Sequence, residues 1–203
     1  DLVPLVSYAL LGGRCRYCHS RISPQYPLVE ALAAAIAVFV ALVHPSITGF
    51  FFWLLVWLTA LFISVYDIRH KVIPLGAAGL LIVLGAADLF FVRPEPFVPA
   101  LVAGPLLALP LLILCVVSGG RWMGLGDPIL MLGLGLLLGL TAGLSAFLIA
   151  FVVGAGVGIA LMLFTSGYTM KSEVPLGPFL ILGAAVVHFF HVDFFSTLSI
   201  LWH

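Results

Sequence analysis

Asp67, in Ser64-Val65-Tyr66-Asp67-Ile68-Arg69, and Asp127, in Gly124-Leu125-Gly126-Asp127-Pro128, are carboxylates at the edges of long apolar runs. The chain carries only eight Asp and Glu side chains, and an Asp near a bilayer centre costs about 2.5–3.5 kcal/mol. A pair kept at that cost points to proton chemistry. Two nearby carboxylates do not both ionise cheaply, so the pair holds one proton between them. The ionised member can take a proton from a water that attacks a peptide carbonyl, while the protonated member donates to the carbonyl oxygen. Which residue plays which part is a property of the pair and is not written in the sequence. The residues alone leave three classes open: hydrolysis, a proton relay or ion site in a transporter, and structural pairing with Arg or Lys.

The neighbours of Asp127 have uses of their own. Gly124 and Gly126 remove side-chain bulk ahead of the acid, where an extended substrate backbone could approach, and they permit φ values closed to other residues. Pro128 suits the first turn of a following helix, where its missing N–H would have no partner anyway. Asp127 is then expected at or near the N-cap of that helix, facing backbone donors. Arg69 and Lys71 follow Asp67 closely and would act on its charge if they stay near.

The elements that must carry these residues are membrane helices. Of 203 residues, 64% are hydrophobic and 8% charged, and mean hydropathy is +1.30. A soluble domain carries roughly a quarter charged residues. The expected fold is therefore all-α, a polytopic transmembrane helix bundle whose element lengths follow bilayer thickness. Apolar segments cover about 27–44, 48–66, 73–92, 98–118, 128–141, 143–165 and 175–200, seven in all. The fifth is short for a span and is followed at once by Gly143, so it is expected to tilt or to end below the far surface. Gly154 and Gly158 have the Gly-x-x-x-Gly spacing of close helix packing. Residues 1–26 read as a cytoplasmic segment, the remainder of a larger cytoplasmic domain, and 27–203 as the membrane bundle. The first residues, Asp1-Leu2-Val3-Pro4-Leu5, resemble the middle of a protein, so an N-terminal part is expected upstream.

Basic residues set the orientation. With residues 1–26 in the cytoplasm, Arg14, Arg16, Arg21, Arg69, Lys71, Arg121 and Lys171 fall on the cytoplasmic side and only Arg93 on the far side. Asp67 ends the second segment and Asp127 begins the fifth, so both emerge at one depth on the cytoplasmic face. The far side carries His188, His191 and Asp193, read as interfacial polar residues beside Phe189, Phe190, Phe194 and Phe195 rather than as metal ligands. Net charge is zero, and no basic stretch suits nucleic acid. The partner these features imply is the lipid bilayer; oligomeric state is not legible.

Cys15 and Cys18 form a C-x-x-C, while Cys115 lies in an apolar run as a small hydrophobe. A structural zinc takes four protein ligands, so the pair supplies half of a zinc site. A second pair upstream would complete it. Reducing cytosol disfavours a disulfide.

Taken together, the words of this sequence resemble one family. Tyr66-Asp67 and Gly124-Leu125-Gly126-Asp127 resemble the GxGD class of membrane aspartyl proteases. Within it, the chain resembles the type IV prepilin leader peptidases. The further words are Arg14-Cys15-Arg16-Tyr17-Cys18 with Ile22-Ser23-Pro24-Gln25-Tyr26-Pro27-Leu28-Val29-Glu30, Ile73-Pro74 after Asp67-Ile68-Arg69, and Lys171-Ser172-Glu173-Val174-Pro175-Leu176-Gly177-Pro178-Phe179-Leu180.

The resemblance implies a multi-pass endopeptidase of the bacterial inner membrane that removes the leader from prepilins or pseudopilins at the cytoplasmic face. Asp67 and Asp127 would be the catalytic pair, with no cofactor for the peptidase step. It also implies, in many members, N-methylation of the new terminus with S-adenosylmethionine. Glu30 and Glu173, in the family's words, would line a leader or methyl-donor site; otherwise they are rim charges beside Arg21 and Lys171. A proton-coupled transporter is the alternative. Ile129 stands where members often have Lys, and Leu75 where they often have Asn or Asp.

Overall fold

The computed structural model describes residues 4–91, 97–165 and 174–196. Glu173, Lys171, Arg93 and His203 lie outside them. The chain forms α1 (Pro4–Leu10), α2 (Gln25–Val43), α3 (Ile47–His70), α4 (Leu75–Phe91), α5 (Phe97–Ser118), α6 (Gly126–Leu138), α7 (Leu140–Phe164) and α8 (Gly177–Phe190). Each of the seven expected apolar segments carries a helix, the last of them α8, which ends at Phe190. By length and composition, α2, α3, α5 and α7 can cross a membrane, whereas α4, α6 and α8 are shorter apolar helices. The protein is a polytopic helical membrane protein.

Two compact units divide the chain, Asp1–Leu61 and Phe62–His203. In the first, α1 packs on α2, and the loop between them closes on itself. Arg14 and Arg21 pair as an antiparallel bridge, Cys15 N–H donates to Ser20 O at 2.9 Å, and Ile22 N–H to Gly13 O at 2.8 Å. His44, just past α2, stacks on Trp53 with ring centroids 4.9 Å apart.

In the second unit α6 is the centre. It lies between α4 and α5, and also touches α7 and α8, while α7 pairs with α8. Glycines allow the backbones to approach. A Cβ at Gly133 would stand 3.1 Å from the Ile82 backbone nitrogen, one at Gly135 2.8 Å from Gly104 Cα, and one at Gly85 2.7 Å from Leu136 Cβ. Because α6 is sheathed by neighbours, Leu130, Met131, Leu134, Leu136 and Leu137 are all buried.

Several boundaries differ from the sequence expectation. The break after α6 falls at Gly139 (φ 82°), ahead of the expected bound near 141, because Gly139 takes the positive-φ backbone that favours glycine. Gly143 packs within α7 against Leu107. At the other end, α3 continues past its apolar stretch to His70, so Asp67 sits in its last turn. The helix stops at Lys71 (φ 54°), whose N–H donates to Asp67 O at 2.7 Å, ahead of Ile73-Pro74. Proline disfavours helix in the residue before it.

The glycine pair of α7 is used at one end only. Gly154 meets the Phe179 ring, whereas a Cβ at Gly158 would meet nothing within 4 Å. Asp193 ties the stretch just after α8 to α7. Its Oδ1 accepts from Ser145 Oγ at 3.0 Å and from the N–H groups of Phe195 and Ser196 at 3.0 and 3.1 Å. Among the described residues no three His, Cys, Asp or Glu form a metal-sized group, so His188, His191 and Asp193 are not gathered into one.

The α7–α8 seam offers a direct check. A Cβ at Gly183 would fall onto the Ala146 carbonyl oxygen. Gly183→Ala should therefore destabilise the protein by about 1–3 kcal/mol, seen as a lowered thermal midpoint in detergent. Gly158→Ala should be neutral or stabilising by up to about 1 kcal/mol, as glycine is the poorer helix former.

Candidate active site

Asp67 and Asp127 reach one cavity from two helices. Asp67 comes from the last turn of α3 and Asp127 from the first turn of α6. Both line a cavity of about 420 Å³ within the second unit, with Lys71, Arg121, Gly124 and Gly126 also on its wall. The carboxylates are close enough to act on each other's charge. Asp67 is 4% exposed and Asp127 half-buried.

Asp127 is not the N-cap. Leu125 occupies that position without a side-chain hydrogen bond, and the helix begins at Gly126. Asp127 thus lies one step inside the first turn, still at the electropositive end of the helix dipole.

The two glycines before it differ in purpose. Neither has a positive φ among the residues that do, so backbone freedom is not their use here. A Cβ at Gly126 would stand 2.6 Å from Ile73 Cβ, whereas one at Gly124 would meet only Gly126 N at 3.9 Å. Gly126 is a packing contact, and Gly124 leaves open space on the cavity wall.

Asp67 has a donor that its own helix does not supply. The Gly177 N–H, in the first turn of α8, hydrogen-bonds its carboxylate. Sequence reading passed over Gly177 as a site residue, although it sits in the Pro175-Leu176-Gly177-Pro178 word that carried the resemblance. Arg121 was missed in the same way. It follows Gly119 and Gly120, both at positive φ, and its Nε–H donates to Ser118 O at 3.0 Å, which fixes the guanidinium stem on the cavity wall. Trp122, beside it, is 75% exposed. Of the two cations after Asp67, Lys71 lines the cavity, while Arg69 is exposed and does not.

The remaining sequence candidates lie elsewhere. Glu30 lines a cavity of about 350 Å³ wholly within the first unit, together with Tyr8, Tyr17, Tyr26, Arg14 and Arg16. Glu173 is outside the described residues. Cys15 and Cys18 are free thiols, and among the described residues no further His, Cys, Asp or Glu completes a group of three with them. A structural zinc takes four protein ligands, and among the described residues no such set is evident around these two. Cys18 is exposed, with its Sγ 3.0 Å from Ser20 Oγ. The Ser20 hydroxyl first, then the Ser20 backbone and the Cys15 thiol, lower its pKa from 9.0 to about 7.

Comparison with known proteins adds the relatives. Residues 1–44 match the Bacterial Peptidase A24 N-terminal domain, and residues 52–159, more than half of the chain, match the Type IV leader peptidase family. The chain is 35% identical over 186 residues to the Prepilin leader peptidase/N-methyltransferase of Aeromonas hydrophila, covering 88% of this chain and 62% of that protein. It is 34% identical over 206 residues to the protein of the same name from Burkholderia pseudomallei (strain 1026b), covering 97% and 65%. A 77-residue stretch is 40% identical to the Type 4 prepilin-like proteins leader peptide-processing enzyme of Escherichia coli O78:H11, covering 36% of this chain and 28% of that protein. The chain thus spans less than two thirds of the length of these relatives. No solved structure matches.

Alkylation rates of Cys18 in the reduced, chelator-treated protein should rise through a midpoint near pH 7, because the thiolate is the nucleophile. Ser20→Ala should move that midpoint upward by removing the largest stabiliser of the thiolate. An unmoved midpoint would discount the Ser20 contact.

Proposed function

The chain belongs to the type IV leader peptidase family, and from that premise we propose that it is a membrane aspartyl endopeptidase that removes the leader from prepilins or pseudopilins. The observation that carries this reading is the meeting of Asp67 and Asp127 on one cavity wall. Two carboxyl groups sharing one proton are equipped for peptide hydrolysis without further groups. The ionised member deprotonates a water as it attacks the scissile carbonyl carbon, and the protonated member donates to the carbonyl oxygen. The tetrahedral intermediate then collapses with proton transfer to the leaving amine.

Gly124 leaves room for an extended substrate backbone, and Arg121 and Lys71 put positive charge near the oxygen that becomes anionic. The bias of basic residues supports the reading that this cavity opens on the cytoplasmic side of a bacterial inner membrane. Glu173 remains a candidate for binding the basic leader through its charge.

The relatives' names add N-methyl transfer. S-adenosylmethionine, when bound, supplies an activated methyl group on a sulfonium. The first-unit cavity fits such a donor. Tyr8, Tyr17 and Tyr26 offer faces for an adenine and a sulfonium cation, Arg14 and Arg16 suit its carboxylate, and Glu30 its ammonium. A volume of about 350 Å³ is at the low end for small-molecule sites.

Two experiments follow. Asp67→Asn and Asp127→Asn should each lower prepilin cleavage by roughly 10²–10⁴-fold, the usual contribution of a positioned acid or base, while leaving prepilin binding and folding intact. Full cleavage by either variant would refute the pair, and transport driven by a pH gradient without cleavage would favour a transporter. Equilibrium dialysis with labelled S-adenosylmethionine should show binding by the wild type that Glu30→Gln and Tyr17→Ala weaken; binding indifferent to both would place the donor elsewhere.

A further inference from the structure

The Asp67 carboxylate ends where the starts of α6 and α8 come together, and one side chain touches both. Ile73 is 6% exposed. A Cβ at Gly126, the first residue of α6, would stand 2.6 Å from Ile73 Cβ and 3.3 Å from its Cγ2. A Cβ at Gly177, the first residue of α8, would stand 3.2 Å from Ile73 Cδ1 and 2.6 Å from Asp67 Oδ2. The root of Ile73 therefore abuts the residue before Asp127, and its tip abuts the residue that meets Asp67.

Gly177 combines two properties at this place. Its N–H belongs to the first turn of a helix, where no intrahelical acceptor exists, and it is given to Asp67. The next residue, Pro178, has no N–H, so it cannot stand in for this donor. Gly177 is not among the residues of positive φ, so the position calls for a missing side chain rather than for a special backbone angle. Any Cβ there would push the carboxylate or the helix start away.

We propose that Gly177 and Ile73 are positioning residues for the acid pair. Gly177 holds the Asp67 carboxylate by its N–H and by its lack of a side chain, and Ile73 sets the gap between the two helix starts that carry the alignment. This rests on the proteolytic reading of Asp67 and Asp127.

The test compares prepilin cleavage by the full chain in detergent for wild type, Gly177→Ala, Ile73→Val and Asp67→Asn. It is paired with binding of a peptide in which a hydroxyl-bearing isostere replaces the scissile bond, a probe held by both carboxylates together. Gly177→Ala should lose about 100-fold or more in kcat, the scale of an ångström-sized misplacement, with KM nearly unchanged and isostere affinity reduced in parallel. Ile73→Val removes the Cδ1 contact but keeps the atoms facing Gly126, so it should fold normally and lose less in the same direction. If Gly177→Ala fails to fold, Ile73→Val decides alone.

Wild-type kcat and isostere affinity in the folded variants would overturn the proposal. So would a loss confined to KM, or a lower kcat with unchanged isostere binding. No cleavage by the wild type, or full cleavage by Asp67→Asn, would remove the proteolytic reading and this proposal with it.

Discussion

The backbone of α6 runs almost in contact with the backbones of α4 and α5, and this approach places Asp127. At 13 residues, α6 is about 20 Å long, well short of the roughly 30 Å hydrocarbon core. Membrane thickness cannot fix the depth of such a helix, so its neighbours must. Gly133 and Gly135 on α6, Gly85 on α4 and Gly104 on α5 each lie where a Cβ would come within about 3 Å of another helix. Helices that associate in lipid gain little from hydrophobic burial and depend on close van der Waals packing instead. Replacing any of these glycines would move the acid at the helix start as well as weaken the seam.

The same economy governs the polar groups. Asp67 is nearly buried at the end of a helix built from apolar and aromatic residues, and a carboxylate taken from water must be met by donors or charges. The donor it meets comes from another element, the Gly177 N–H of α8, and Lys71 and Arg121, from the loops after α3 and α5, line the same cavity. None is adjacent to Asp67 on its own helix. The carboxylate is thus an element of tertiary structure, and α3, α6 and α8 must be in place before the cavity has its chemistry.

Much of the fold could be read in the chain, because lipid imposes a strong rule. Backbone groups without water must pair internally, so seven apolar runs became seven helices. The two acids were legible for a related reason, since charged residues are rare where they are costly. Boundaries were harder. The helix break at Gly139 was not legible to the residue, because Gly135, Gly139 and Gly143 all stand near it in apolar surroundings and only the positive φ of Gly139 sets it apart. The purpose of Gly126 was hidden as well. It faces Ile73, a partner 53 residues away in sequence, and no local pattern announces such a contact. Gly177 and Arg121 reach the site through a backbone N–H and a turn of two positive-φ glycines just before the arginine, neither of which leaves a hydropathy signal. In the first unit, the loop closure through Arg14 and Arg21 brings Glu30 into a cavity with three tyrosines that spacing alone did not suggest.

In the proposed reaction Asp67 and Asp127 work as one unit. The most direct test is the cleavage rate of the Asp67→Asn/Asp127→Asn double variant against each single variant, in an assay sensitive enough to measure residual turnover. Groups that act together are grossly non-additive. A double variant no slower than the worse single variant is the predicted result. Losses that multiply would mean that the two carboxylates act independently, and would contradict the shared-proton pair.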